Sequence, residues 1–400
     1  MKILSAFDPV HERLAAGSFH AERLGTLIRQ HTLSIGMEAL LGEPLDLALV
    51  FISDSQENSE IPFTSLVREH LYNYYLLADV RLKMADLGNL RPDWNARPDE
   101  DQVDLWTELL GLSRLVVCVG GDQHIGISAA QALARRHAAL HVCLVDACFD
   151  VSGFSEDPSC IPDFIDNLLQ HLNPYLGFLS FIGIQNFLNA PTIGRQLDKF
   201  LFDVLRLSEF RKVPEEAEPL LRLSNFLSFD FTALEAAYIP EILGRRPNGF
   251  NGVEACRLTR YAGFAPELRW AGFHNTRLAP GFSGADVSAQ MMAQMLWHLI
   301  EGLSARIPEQ PSEDNPEFTQ FFVPLSGFQE RQVCFYRHNL SGRWWMEIPG
   351  FGEASPYPGF PRLIPCSYTD YQTASRGEWP ERWWKALQRF DLGSFSTENT

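Results

Sequence analysis

Basic residues are scarce in this chain: 33 Lys plus Arg stand against 50 Asp plus Glu, a formal net charge of −17. A surface of that sign repels phosphate backbones and anionic lipid, which argues against nucleic acid and membrane as partners. Long apolar runs are missing too. None approaches the ~18 residues that a spanning helix needs, and the opening MKILSAFDPVHERLAAG sets Asp8 and His11 where a signal peptide requires an unbroken apolar stretch. A cytoplasmic protein is expected. Cysteines are few, seven in 400 residues, and they are never spaced as CxxC. Reduced thiols follow from that usage, rather than a disulfide frame or a structural zinc knuckle. Internal repeats and long low-complexity tracts are also absent. What the chain does have is core-forming material, 46% hydrophobic and 12% aromatic residues, enough to offset the entropy of ordering.

From about residue 44 to 305, short β-branched or aromatic runs alternate with amphipathic stretches. This is the pattern of a parallel sheet with helices on both faces. Strands are expected at residues 47–52, 115–119, 141–145, 178–184, 225–229 and 268–273. Helical spacing marks IGISAAQALARRHA, CIPDFIDNLLQHL, GVEACRLTRYAG and VSAQMMAQMLWHLIEGL. The fold class is α/β, a three-layer αβα sandwich on a doubly wound parallel sheet. Composition changes at ARIPEQPSEDNPEF, rich in Pro and acidic residues, which reads as a linker. Two units are therefore expected, a main domain over 1–305 and a small Trp-rich β/α extension over 306–400 packed on it. In the extension TQFFVPL, QVCFYRH and RWWMEI read as strands and EWPERWWKALQRF as a terminal helix. The pairs Trp344 with Trp345 and Trp383 with Trp384 read as core or subunit contacts.

Three segments end strands with carboxylates, where doubly wound sheets place ligands. VVCVGGDQHIG runs into Gly120, Gly121, Asp122, Gln123 and His124. CLVDACFDV carries Asp146, Cys148 and Asp150 on alternate residues. FLSFDFTALEAAYIP ends a strand at Asp230 and continues to Thr232 and Glu235. Each alone reads equally as a cap or turn, since Asp favours both. In this order they form a pattern. A nucleotide site is a poor alternative, because GGDQHIG lacks the GxGxxG spacing that brings backbone amides to a pyrophosphate.

The chain resembles the ureohydrolases, the family of arginase, agmatinase and formimidoylglutamase. The family pattern is GGDH, then DAHxD, then SxDxD, and the matching stretches here are GGDQ, DACFD and SFDFT. ADLGN, VREHLY (which looks like the family's N-terminal Arg-bearing helix) and GFNGVEA add to the likeness, which covers roughly residues 40–305. The tail resembles an extension carried by one bacterial formimidoylglutamase-like branch. The resemblance implies two manganese ions sharing a hydroxide. Carried over residue by residue, the first ion's ligands are Gln123, Asp146, Asp150 and Asp230. Those of the second are Cys148 and Thr232, with Asp146 and Asp230 bridging. Glu254 matches the substrate-side glutamate.

The departures fall on the ligands themselves: Gln and Cys replace two His, and Thr replaces an Asp. Three carboxylates with an amide oxygen suit one hard divalent cation, Mn²⁺, Mg²⁺ or Ca²⁺. A thiolate at Cys148 would favour a softer ion such as zinc, and a neutral Thr hydroxyl is a poor ligand. Two bridging cations make hydroxide more readily than one. The sequence therefore points to one divalent ion rather than a manganese pair. The leading expectation is a catalytically impaired relative that works as a binding or assembly protein. The alternative is an active C–N hydrolase of linear amidines using the single ion. A small amidine or amino-acid-like ligand and a homo-oligomer follow from the resemblance. Without a cation the three Asp would repel one another, and Arg245, Arg246, Arg277 and His124 are the internal cations that could sit beside them.

Overall fold

The computed structural model describes residues 2–11, 14, 20–53, 61–75, 80–94, 100–137, 139–151, 164–172, 175–282, 284–309, 311–324, 332–348 and 361–396. Cys160 and the first residues of CIPDFIDNLLQHL lie outside them. Strands of the main sheet are β1 Phe7–Asp8, β2 Ile28–Gln30, β3 Leu45–Ile52, β4 Met84–Leu90, β5 Ser113–Gly120, β6 Leu140–Val145, β7 Leu176–Ile182, β8 Asp203–Leu205, β9 Phe226–Asp230 and β10 Trp270–His274. Their order is β1-β4-β3-β5-β10-β9-β6-β7-β8, with β2 also on β4. All pairings are parallel except β1 with β4 at one edge. The expected αβα fold is the observed one.

Side-chain alternation divides the strands between two cores, because successive residues of a strand point to opposite faces. Leu47, Leu49, Phe51, Val117, Val119, Leu227 and Phe229 pack under the helices Phe63–Asn73, Gly252–Phe264 and Asp286–Ser304. Ala48, Val50, Ile52, Val116, Leu144, Phe226 and Trp270 pack under Glu100–Leu112, Ile125–Ala134 and Phe164–Leu172. The near-continuous apolar runs follow from burial on both faces.

All six expected strands are present, with ends shifted by a few residues. The sequence reading missed β4, MADLGNL, whose Asp86 and Gly88 are unlike strand interior. Asp86 is fully buried there and takes a bidentate ion pair from Arg68, at 2.7 and 3.1 Å. Arg68 also donates to Asn89 at 2.8 Å and stacks over the Phe51 ring at 3.8 Å. Tyr72 O–H and Gly88 N–H complete the Asp86 shell. VREHLY and ADLGN are thus two halves of one buried polar network.

The C-terminal residues form a four-stranded antiparallel sheet, β11 Phe318–Pro324, β12 Gln332–His338, β13 Trp344–Glu347 and β14 Leu363–Cys366, in that order. β14 and the helix Tyr368–Ser375 were not read from the sequence. Phe178 of β7 shares an apolar cluster with Phe335, Trp344, Met346, Ile364 and Trp383. Arg222, buried, donates to the Trp344 carbonyl at 2.8 Å and lies over the Trp345 ring at 4.0 Å. Trp344, Trp345 and Trp383 are buried, while Trp384 is exposed. Among the described residues no helix is long and apolar enough to cross a membrane.

Candidate metal centre

Strand register brings the first two carboxylates together. β6 and β9 are neighbours with Val145 opposite Phe229, so the next residues, Asp146 and Asp230, stand side by side at the carboxyl ends of their strands. Asp150 joins them from the turn after β6, at a left-handed φ of 44°, a conformation that Asp tolerates better than most residues. One carboxylate oxygen from each of Asp146, Asp150 and Asp230 lies within 4.8 Å of the others. Cys148 is outside that group. Among the described residues the group is these three carboxylates, without an imidazole.

Asp146 accepts from the Cys148 amide at 2.9 Å. Asp230 caps the short turn that follows it, accepting from Thr232 N at 2.6 Å, and its other oxygen accepts from Asn275 Nδ2 at 2.9 Å. Burial pushes both carboxyls above the usual carboxylate range, and for Asp146 the charges of Asp230 and Asp150 push further in the same direction. Carboxylates this close repel by roughly 3 kcal/mol per pair at an effective dielectric near 20. A hard divalent cation relieves that repulsion, and three carboxylate donors fit such an ion.

The other positions singled out by sequence are engaged elsewhere. Gln123 is buried and its Nε2 donates to Ser228 Oγ at 3.1 Å. β10 lies between its parent strand β5 and β9. His124 turns to Asp122, with Nδ1 at 2.6 Å from Oδ1, and its ring packs edge-on to Phe164. Cys148 is half-buried, and burial raises its thiol pKa. Thr232 Oγ1 accepts from Arg246 Nη1 at 3.3 Å. Glu254 closes a capping box with Asn251 at the start of its helix, and both its oxygens accept from Arg211, at 3.1 and 3.3 Å. Arg211 also reaches Glu235 at 2.8 Å.

Sequence reading missed three residues that complete the surroundings: Asn275, Arg211 and His274. Asn275 follows β10 directly and so could have been found by extending the strand-end search by one motif. Arg211 comes from a short helix, Leu207–Lys212, with no motif around it. Backbone geometry also constrains the centre. Gly120 has φ 98°, and a Cβ there would lie 2.2 Å from the Ile52 carbonyl oxygen, so the turn into GGDQ requires glycine.

His274 ends β10 fully buried, its Nδ1–H donating to the Gly120 carbonyl at 3.0 Å. Its Nε2 finds no hydrogen-bond partner among the described residues. Burial pushes its pKa down to about 4, against about 6.5 in an unfolded chain. The native state therefore binds fewer protons than the unfolded state between those values. The stability that His274 contributes is present above about pH 6.5 and is lost as pH falls towards 4. That loss amounts to about 3 kcal/mol. The raised carboxyls of Asp146 and Asp230 act in the opposite direction, so the check is the difference between parent and His274→Gln in urea unfolding, in which the parent is expected to lose stability relative to the variant as pH falls from about 7.5 to about 4.5.

The family profile described as "Arginase family" matches residues 64–301. No curated protein matches the chain by sequence. Among solved structures, formimidoylglutamase from Bacillus subtilis is similar with a TM-score of 0.54 and 17% identity, over 67% of this chain and 90% of that one. The oxidized formiminoglutamase of Trypanosoma cruzi has a TM-score of 0.57 and 16% identity, over 71% and 99%. The T. cruzi formiminoglutamase with Mn²⁺ has a TM-score of 0.55 and 16% identity, over 66% and 95%. At these identities the likeness is one of fold.

Proposed function

The chain belongs to the arginase family, and from that premise we propose that it is a ureohydrolase relative with a degraded metal centre, one that holds a single hard divalent ion and works as a non-catalytic binding or assembly protein. Asp146, Asp150 and Asp230 would hold the ion. Bound there, it would lower the pKa of a water molecule, less strongly than two ions do. The observation that carries this reading is the donor set: three converging carboxylates without an imidazole, with a soft sulfur at Cys148 and the neutral Thr232 hydroxyl accepting from a guanidinium. Sulfur and a neutral hydroxyl are poor ligands for a second hard ion.

The substrate side supports the same reading. Glu254 matches the glutamate that in the family's pattern faces the substrate, yet here Arg211 of the same chain takes both its oxygens. A cationic amidine has to displace that internal guanidinium, which is held by Glu235 and the Gly249 carbonyl as well. Arg211→Ala is accordingly expected to tighten binding of agmatine or arginine about tenfold or more, since charge-assisted hydrogen bonds are worth ~1.5–3 kcal/mol each. Titration calorimetry of parent and variant measures it.

The test of the reading is metal analysis of purified chain, together with hydrolysis assays on arginine, agmatine and formimidoylglutamate. One ion per chain and no turnover are expected. Two ions per chain with robust turnover would contradict it.

A second reading, an active one-ion hydrolase of linear amidines, shares the same three carboxylates and the same ion and differs only in turnover. On that reading formimidoylglutamate is turned over, and Asp150→Asn removes ion and activity together. Retention of both in that variant would dismiss it.

A further inference from the structure

Arg246 stands beside the acid cluster on a backbone that is fixed in place. Glu235 and Arg246 face each other in an isolated parallel bridge, and the Ala236 amide donates to the Arg246 carbonyl at 2.7 Å. Its side chain, half-buried, donates from Nη1 to Thr232 Oγ1 at 3.3 Å. The Thr232 amide in turn donates to Asp230 Oδ1 at 2.6 Å. A guanidinium is thus tied to a cluster carboxylate through one residue.

We propose that the Arg246 guanidinium is the second cation of this centre: through Thr232 it holds the side of the acid cluster at which a second divalent ion would bind, and so limits the chain to one ion. The inference rests on the reading that Asp146, Asp150 and Asp230 hold one divalent ion. Charge balance agrees with it. Three carboxylates carry three negative charges, which one divalent ion and one guanidinium neutralise. Arginine does not give up its proton in proteins, so this cation cannot be titrated away to admit a second ion. The Thr232 hydroxyl already accepts from Nη1, so an ion approaching that neutral oxygen meets the guanidinium's positive charge.

The experiment restores the two missing ligands of the second ion, with and without the arginine. Mn²⁺ equivalents are counted by equilibrium dialysis, and the electron paramagnetic resonance spectrum separates an isolated ion from a spin-coupled pair. Three chains are compared: the parent, Cys148→His with Thr232→Asp, and the same pair with Arg246→Met. The expected counts are one, one and two, with the coupled spectrum in the last chain alone. Arg246→Lys in the restored-ligand background keeps the charge and is expected to stay at one. Circular dichroism verifies that each chain is folded. For Arg246→Met alone, a lower thermal midpoint without metal, recovered in saturating Mn²⁺, is expected. Two ions in the double variant with Arg246 retained, or one in the triple variant, would overturn the proposal while leaving the one-ion reading intact. A parent chain that takes none or two overturns that reading itself.

Discussion

Asp146→Asn is expected to weaken Mn²⁺ binding by at least about 100-fold while making the metal-free protein more stable. The first effect follows from removing a carboxylate from a donor set of three; loss of a mere outer partner already costs ~10–100-fold. The second follows from the electrostatics. Asp146 is buried with Asp230 and Asp150 close by, and burial and both charges act to raise its pKa. Taking away one of these charges relieves up to roughly 3 kcal/mol of repulsion per neighbour, discounted because a raised pKa leaves the carboxyl partly protonated. A net gain of about 1–2 kcal/mol in chelator is the expected size. The opposite signs make the variant informative. If the carboxylate were only a structural hydrogen-bond acceptor for the Cys148 amide, Asp146→Asn would lower stability in chelator. Urea unfolding with and without chelator, beside Mn²⁺ titration, separates the two.

Arg68→Met is expected to cost about 3–5 kcal/mol, the scale of breaking a buried ion pair by removing one partner. Arg68 and Asp86 are both almost wholly inaccessible, and their bidentate contact is joined by Asn89, Tyr72 and Gly88. Methionine keeps the aliphatic volume against Phe51 but strands the Asp86 charge. Removing that charge as well, in Arg68→Met with Asp86→Leu, is expected to recover at least half of the loss, because the penalty belongs mainly to the uncompensated ion. An additive or larger loss in the double variant would show that the network holds β4 in register by geometry rather than by charge. Denaturant midpoints for parent, single and double variants decide it.

The contrast between what was legible and what was not follows the physics of burial. Strands buried on both faces, such as LVFI and LVVCV, announce themselves through apolar composition alone, and the strand-end carboxylates follow from them. The placement of Asp146 beside Asp230 needed only the motif order and a doubly wound sheet. β4 was hidden because its interior aspartate is balanced by an arginine 18 residues earlier in the chain, a pairing that no local pattern reveals. β14 and the helix after it were missed for a related reason: LIPC is short, carries a proline, and gains its place from β13. The internal cations were the deepest gap. Arg245, Arg246, Arg277 and His124 were equivalent as letters, and the hydrogen bond from Arg246 to Thr232 singles out one of them. Arg211 was not considered at all, although it reaches across 43 residues to the carboxylate expected to face substrate.

The domain division was read from composition; the last strands form a four-stranded antiparallel sheet of their own. That sheet and its following helices are tied to the main body by Arg222 at the Trp344 carbonyl and by Arg382, whose guanidinium reaches Glu216 at 3.1 Å.

Crystals grown in Mn²⁺ and measured at the manganese absorption edge test the central claim most directly. One anomalous peak per chain is predicted among Asp146, Asp150 and Asp230, with the Arg246 guanidinium still on Thr232. Two peaks bridged by Asp146 and Asp230, or none at all, would contradict it.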